Sequence, residues 1–170
     1  MSAETNLILD ISGFPPESAR NCTQELKPIA NGEFKRSVNG DLMFLETTER
    51  KKYHSIISCA DVNTPIIDRL WIGSQLSVGC IQNLWQSIAP QQTKITLIRP
   101  AVAGSVSVVN NFGEQIPFRQ VDNSIELYKP YDEKIFVSFR PWLTMQVINF
   151  SMTTKEWDME GGWRLELEEI

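Results

Sequence analysis

Hydrophobic and polar residues alternate along several short segments of the chain, and this period of two residues is typical of β-strands that bury one face. The alternation is clearest near the end of the sequence, where Trp163, Leu165 and Leu167 are separated by charged residues. A second segment in the middle of the chain places Leu76 and Val78 between small or polar neighbours. Each segment is predicted to be a strand with one buried face.

A hairpin is predicted where Asn39-Gly40 separates the strand-like segments 34–38 and 41–45. Asn-Gly between two such segments favours a two-residue type I′ turn, because both central residues of that turn need positive φ.

One short helix is predicted at residues 64–71. Thr64 can cap the free N–H groups of the first turn, and Pro65 suits the first helical position. The four large apolar residues that follow share one face at helical spacing.

Two parts of the chain lack a core-forming pattern. Residues 13–33 begin with Gly13 and the pair Pro15-Pro16, and their apolar residues are sparse, so an extended arm is predicted there. Residues 87–133 contain strand-like fragments separated by prolines, which predicts a long, loop-rich insertion.

The pattern as a whole predicts a mainly β protein with about eight to ten short strands and no β–α alternation. The expected fold is an antiparallel β-sandwich or a partly closed β-barrel, with one short helix and a long irregular insertion. At 170 residues the chain is expected to form a single β-rich domain over residues 1–170.

Charge and hydropathy argue against two functional classes. The net charge of −5 and the pI of about 5.0 argue against a dedicated nucleic-acid binder, whose affinity comes from Lys and Arg. No apolar run approaches the roughly 20 residues of a membrane helix, and the start of the chain lacks a signal-peptide pattern. We therefore expect synthesis in the cytoplasm and no membrane segment.

Residues that could carry chemistry are few and scattered. His54, the single histidine, lies on a predicted strand, and the three cysteines have no metal-ligand spacing. Glu166 and Glu168 fall on the polar face of the last strand, where solvation or a basic partner is favoured over acid–base catalysis. We expect no catalytic site, no metal site and no cofactor, and we interpret the chain as a protein that is not an enzyme.

Candidate contact residues come from the tryptophans and from the two irregular segments. Trp71 and Trp163 lie within apolar periodicity and are predicted to be in the core, whereas the other three tryptophans flank loops and fit a core or a binding surface equally. Both irregular segments are expected to be completed by neighbouring chains. The candidate subunit-interface residues are Phe14, Pro15, Arg20, Leu26, Trp85, Trp142 and Trp157.

Short motifs across most of the chain, except its middle, resemble a family of virion proteins from long-tailed bacteriophages. The motifs are Ser18-Ala19-Arg20-x-x-Thr23-Gln24-x-Leu26, Arg36-x-Val38-Asn39-Gly40, Ile57-Ser58-Cys59, Trp71-x-Gly73-x-x-Leu76-x-Val78-x-Cys80, Arg140-Pro141-x-Leu143-x-Met145 and Gly162-Trp163-x-Leu165-x-Leu167-Glu168-Glu169. The predicted architecture is also similar to that of distal-tail and minor tail-tip proteins.

This resemblance implies a structural virion protein, a ring-forming adaptor at the tail tip (distal tail or baseplate region) that joins the tail tube to the tip complex. Its partners would be further copies of the chain and other phage tail proteins, with DNA only as cargo passing through the lumen. An acidic wall fits such a channel, because it does not retain phosphates.

Two alternatives stay open. One is a neck protein, such as a tail terminator or a head–tail joining component. The other is a carbohydrate-binding β-sandwich module, with Trp142 and Trp157 as stacking platforms.

Overall fold

A computed structural model describes residues 4–46, 51–157 and 161–170, and these residues form fourteen β-strands and no helix. In chain order the strands are β1 (Ile8–Leu9), β2 (Thr23–Pro28), β3 (Gly32–Arg36), β4 (Leu42–Glu46), β5 (Tyr53–Cys59), β6 (Gln75–Gly79), β7 (Leu84–Ile88), β8 (Lys94–Thr96), β9 (Ser107–Val109), β10 (Phe118–Val121), β11 (Ser124–Leu127), β12 (Ile135–Phe139), β13 (Trp142–Thr154) and β14 (Gly161–Glu169).

The largest sheet has six antiparallel strands in the order β1-β6-β13-β14-β5-β2. Its central strands follow the predicted alternation: Trp163, Leu165 and Leu167 are buried on one face of β14, and Arg164 and Glu168 are exposed on the other. One face of the sheet therefore forms a core and the other remains polar, as the sequence predicted.

The apolar face of the six-stranded sheet is covered by irregular segments of the same chain. The ring of Phe14 stacks on Trp163 with 6.1 Å between centroids, and the Trp163 indole N–H donates to the carbonyl of Ser18 at 2.7 Å. The predicted arm at 13–33 thus lies largely on its own sheet, and its residues 23–28 form β2, paired with β5. The sequence predicts an arm rather than a strand here because the residues of β2 are mostly polar and exposed, and so show no alternation of apolar residues.

A second core is formed by β7–β12, the six strands that follow β6 and precede β13 in the sequence. β6 and β13 are themselves neighbours in the large sheet. These six strands form two three-stranded antiparallel sheets, β7-β12-β9 and β10-β11-β8. The segment 87–133 is therefore more regular than predicted. Its strands β8 to β11 are only three or four residues long, too short to show a clear period between prolines.

Both three-stranded sheets contribute side chains to this second core, as the layers of a sandwich do. Its buried members are Ile88, Leu97, Val108, Ile116, Ile125, Leu127, Ile135, Val137 and Phe139. Over the described residues the fold is mainly β and antiparallel, and each sheet keeps two outer strands, so none closes into a barrel.

The predicted helix at 64–71 is wrong. This segment is a loop in which the N–H of Ile66 donates to the carbonyl of Gly13, and the N–H of Leu70 donates to the carbonyl of Ile67. Isolated helices this short are marginal, and long-range partners satisfy the backbone instead. Leu70 is buried in the main core, whereas its predicted face-mates are exposed.

The predicted hairpin is confirmed, with a different turn. Ser37 and Asp41 close a three-residue loop through a hydrogen bond of 2.9 Å from the N–H of Ser37 to the carbonyl of Asp41. Only Gly40 has positive φ, at 86°, while Asn39 keeps a negative one. The connection is therefore of the three-residue kind, with glycine in the left-handed position.

Candidate protein-interaction site

The hairpin β3–β4 carries apolar side chains on both of its faces. Phe34 pairs with Phe44 on one face, with ring centroids 4.8 Å apart, while Met43 and Leu45 lie on the other face. The two strands pair with each other and with no other described strand. We call the exposed apolar residues of this element the hairpin patch: Phe34, Val38, Leu42, Met43, Phe44 and Leu45.

This exposure is unusual for an isolated chain in water. Phe34 keeps 69% of its surface accessible, and the other members of the hairpin patch are also exposed. A lone two-stranded hairpin is marginally stable, and soluble monomers seldom expose contiguous apolar patches beyond a few hundred Å². The hairpin patch therefore has the character of a surface that another chain covers.

A second apolar surface is formed by the loop between β5 and β6. Trp71 is 74% exposed and Ile72 is 64% exposed, while the preceding residue, Leu70, is buried and anchors the loop. We call the exposed apolar residues of this loop the loop patch: Val62, Ile66, Ile67, Trp71 and Ile72.

The backbone of this loop is held by hydrogen bonds to distant parts of the chain. The hydroxyl of Ser12 donates to the carbonyl of Ile66 at 2.6 Å, and the side-chain amide of Asn63 donates to the carbonyl of Pro16 at 2.8 Å. At the other end of the loop, the N–H of Gly73 donates to the β13 backbone at 2.8 Å. These hydrogen bonds fix the backbone that carries the exposed side chains of the loop patch.

The four predicted contact residues of the arm lie against their own chain. Phe14 stacks on the main core, Leu26 packs beside it, and the carbonyl of Pro15 accepts the hydroxyl of Ser18 at 2.6 Å. Arg20 forms two close hydrogen bonds to Asp61 through its side chain, at 2.7 and 3.2 Å.

The buried Asp61 carboxylate is held as an anion by this contact. The Arg20 guanidinium lowers the pKa of Asp61 from 3.8 to about 2, and the N–H groups of Arg20 and Val62 donate to the same carboxylate. This cluster joins the segment before β2 to the start of the loop after β5. It thereby holds in place the backbone that carries the loop patch.

The three predicted contact tryptophans lie on different surfaces. Trp85 is exposed on β7, an outer strand of its sheet, and Trp157 is 90% exposed in the turn after β13. Trp142, at the other end of β13, is half-buried in a cleft. Of the two predicted core tryptophans, Trp163 is confirmed, whereas the prediction for Trp71 is wrong because the helix face that was to bury it does not form.

The cleft at Trp142 has a volume of about 300 Å³ and lies where the second core meets the main sheet. On its wall, Arg99 donates to both carboxylate oxygens of Glu169, at 2.6 and 3.1 Å, and to the carbonyl of Lys51 at 2.7 Å. The N–H of Tyr53 also donates to Glu169. Glu169 is therefore engaged in joining the two cores.

The remaining candidate groups lie apart from one another. His54 Nδ1 is 3.5 Å from Glu168 on the polar face of the sheet, and the next residue, Ser55, is buried on the opposite face, where it accepts from Gln24. Burial raises the pKa of Cys59 to about 12, so this thiol is protonated at neutral pH. In residues 4–46, 51–157 and 161–170, no group of three or more His, Cys, Asp or Glu could hold a metal ion.

No helix in the described part of the chain is long and apolar enough to cross a membrane.

The hairpin patch and the loop patch were missed at the sequence level, although one signal was present. Leu42 to Leu45 are four consecutive apolar residues, which departs from the alternation of a strand with one buried face. The loop patch had no comparable signal, because its spacing imitates a buried helix face.

Comparison with models of known protein families finds no match for this chain, and comparison with curated proteins finds none either.

Proposed function

We propose that this chain is a non-enzymatic structural protein that assembles with other protein chains. Copies of it would form a ring that acts as an adaptor at the tail tip of a long-tailed bacteriophage. The hairpin patch is the observation that carries the assembly role. Phe34, Leu42 and Phe44 are exposed on one face of the hairpin, and two further exposed apolar side chains, Met43 and Leu45, lie on its opposite face. Water is a poor environment for such an element, and a neighbouring subunit is a good one.

The polar groups of the described residues support assembly over catalysis. Glu169 is occupied by Arg99 and by the Tyr53 N–H, and His54 faces a carboxylate on an open polar surface. A general acid or base needs a free group aimed at a pocket, with its pKa near the working pH. These groups have structural partners instead.

The phage assignment is supported by the resemblance of the motifs to virion proteins and by a body built from antiparallel sheets. The net charge of −5 suits a channel wall past which DNA moves without being retained. The virion tail would then be the site of action, with synthesis in the host cytoplasm.

Location in the particle tests this proposal. Virions of the phage that encodes the chain are purified, their proteins are identified by mass spectrometry, and an antibody against the chain is imaged on intact particles. We expect the protein in stoichiometric amounts, with label at the tail tip. Label at the head–tail junction would instead identify a neck protein, and absence from purified virions would contradict the virion role.

A carbohydrate-binding module is the second candidate, because the cleft combines Trp142 with the charged pair Arg99–Glu169. An aromatic ring beside polar groups can stack on a sugar. A glycan array with the wild-type protein and with Trp142→Ala tests it, and Trp85→Ala on the other core is the matched control. Glycan binding that is lost only in Trp142→Ala would favour this candidate, whereas our proposal expects no binding.

A further inference from the structure

The two apolar patches leave the main sheet at opposite ends of one strand. Pro28 and Tyr53 pair where the hairpin departs, while the loop begins after Cys59 at the other end of β5. A seven-residue strand spans about 20 Å. Within one chain the patches do not cover each other, as the exposure of both demonstrates.

The end that carries the loop patch has further exposed apolar surface. The N–H of Gly161 donates to the carbonyl of Asp61 at 3.1 Å, which places the start of the loop beside the β13–β14 turn. Trp157 lies in that turn and is almost fully exposed. This predicted contact residue therefore belongs to the same end of the molecule as the loop patch.

The two patches are of similar size. The hairpin patch exposes on the order of 600 Å² and the loop patch on the order of 500 Å², taking about 150–250 Å² for a whole aromatic side chain. A standard protein–protein contact buries about 800 Å² per partner, of which about 60% is apolar. The loop patch therefore supplies the apolar part of one standard contact, and the hairpin patch does so when the contact takes in both of its faces.

We infer that the hairpin patch of one copy of this chain packs on the loop patch of a second copy, in a head-to-tail contact. This inference rests on the proposed function as a self-assembling protein and names the contact that would build the assembly. The patches carry charges of both signs, with Lys35 and Glu33 on the hairpin and Asp68 and Arg69 on the loop, so no single-sign repulsion opposes the contact.

Head-to-tail contacts have a defined consequence for symmetry. Each subunit uses one patch to hold its neighbour and leaves the other patch for the next. Such a series of contacts either closes into a ring or extends as an open filament, and the ring is the form that our proposed function requires. A contact between two hairpin patches would stop at a dimer and leave both loop patches exposed. The head-to-tail contact covers every patch once the ring closes.

Aspartate substitutions at each patch test the contact. The double variants Phe34→Asp/Leu42→Asp and Trp71→Asp/Ile72→Asp should each weaken self-association by about 100-fold or more, because a charge is buried without a partner. Analytical ultracentrifugation measures the association, and a far-ultraviolet circular dichroism spectrum like that of the wild type shows that each variant still folds. Phe112→Asp, at an exposed apolar residue outside both patches, is the control and should leave association unchanged.

Mixing the two double variants separates a head-to-tail contact from other modes. The first variant keeps an intact loop patch and the second an intact hairpin patch, so an equal mixture can form one productive contact. We expect each variant alone to be a monomer and the mixture to be a heterodimer that grows no further. A mixture that stays monomeric would overturn the inference.

Two further outcomes also decide the matter. A wild-type protein that is monomeric at about 100 µM, or an oligomer that persists in both double variants, would overturn the head-to-tail contact. If the wild-type oligomer depends on both patches but the protein is absent from virions, the tail assignment fails and the contact stands. If the protein is found in virions but its oligomers are unaffected by both double variants, the tail assignment stands and the head-to-tail contact fails.

Discussion

Two β-hairpins of this chain, β13–β14 and β3–β4, are both antiparallel and have opposite surroundings. In β13–β14 every second side chain is buried from Leu143 to Val147 and from Trp163 to Leu167, and the hairpin is flanked by β6 and β5 on its two outer edges. In β3–β4 all five residues of β4 are exposed, and its apolar side chains face both ways. The first hairpin is the centre of a core, and the second lacks any cover from the described chain.

The difference lies in the distribution of apolar residues, because both hairpins are rich in them. A two-residue alternation lets one chain cover one face and leave the other to water. Apolar residues on both faces need two covering layers, and a hairpin outside the main sheet has neither. The first pattern therefore stabilises the fold, whereas the second is available for binding another chain.

The largest expected effect is the loss of a core leucine from the covered hairpin. Leu165→Ala in β14 removes a side chain with no exposed surface and should lower the free energy of unfolding by about 2–5 kcal/mol. Urea denaturation followed by tryptophan fluorescence measures it. The matched variant Leu42→Ala in β4 should change the free energy of unfolding by less than about 0.5 kcal/mol. Equal costs in the two variants would show that the hairpin patch packs within its own chain.

A smaller loss of unfolding free energy is expected from Trp163→Phe. This change removes the indole N–H that donates to the Ser18 carbonyl and leaves that buried acceptor without its partner, at a cost of about 1–3 kcal/mol. The segment that covers the sheet should also be cleaved faster in limited proteolysis. Trp157→Phe, at the exposed tip of the same hairpin, is the control and should leave unfolding and proteolysis as in the wild type.

Acid should weaken the packing of the segment that covers the β13–β14 hairpin, because protonation of Asp61 weakens its contact with Arg20. Its folded pKa of about 2 lies below its ordinary 3.8, so its contribution is complete above pH 3.8 and is lost as pH falls toward 2. Because Arg20 is half exposed, we expect the contribution to be on the order of 1–2 kcal/mol at neutral pH.

Asp61→Asn tests this contribution as a difference between two proteins. The variant should be less stable than the wild type at pH 7, and the gap in unfolding free energy should close between about pH 4 and pH 2. A gap that stays constant over this range would contradict the role of the Asp61 charge.

The smallest effect is expected at the turn of the exposed hairpin. Gly40→Ala places a Cβ on a residue with φ of 86° and should cost about 1 kcal/mol. If the hairpin opens independently of the cores, the Ser37 amide should exchange several-fold faster in hydrogen-exchange measurements, while global unfolding by urea is unchanged.

Gly113→Ala is the comparison for this turn, because Gly113 has a similar φ of 80° in a turn attached to the second core. There the same strain should lower global stability by about the same 1 kcal/mol. Equal global losses in both variants would show that the exposed hairpin unfolds together with the main sheet.

Some of the architecture was predictable from local patterns. The hairpin at Asn39-Gly40, the strand that contains Leu76 and Val78, and the buried face of Trp163 are all encoded by neighbours in sequence, through turn chemistry and a two-residue period. The two sheets of the second core escaped prediction, although strand-like fragments were expected within 87–133, because its shortest strands of three or four residues carry too little pattern. These strands gain their stability from cross-strand partners far away in sequence.

The candidate site was harder to predict than the fold. Phe14 was predicted to contact a neighbour, yet it stacks on Trp163, and Trp71 was predicted to be in the core, yet it is exposed. Apolar character alone does not tell whether the covering surface comes from the same chain. Trp157 is exposed at the end of the molecule that carries the loop patch, and its contact role stays a prediction.

The sequence by itself determined which side chains share a face of each long strand, because that follows from the geometry of an extended backbone. Only the tertiary structure decided which faces are covered, because cover comes from segments such as 7–22 and from sheet pairings across the whole chain. That is why β14 could be assigned to the core from its own residues, whereas the exposure of β4 and of the loop before β6 emerged only once every other element had been placed.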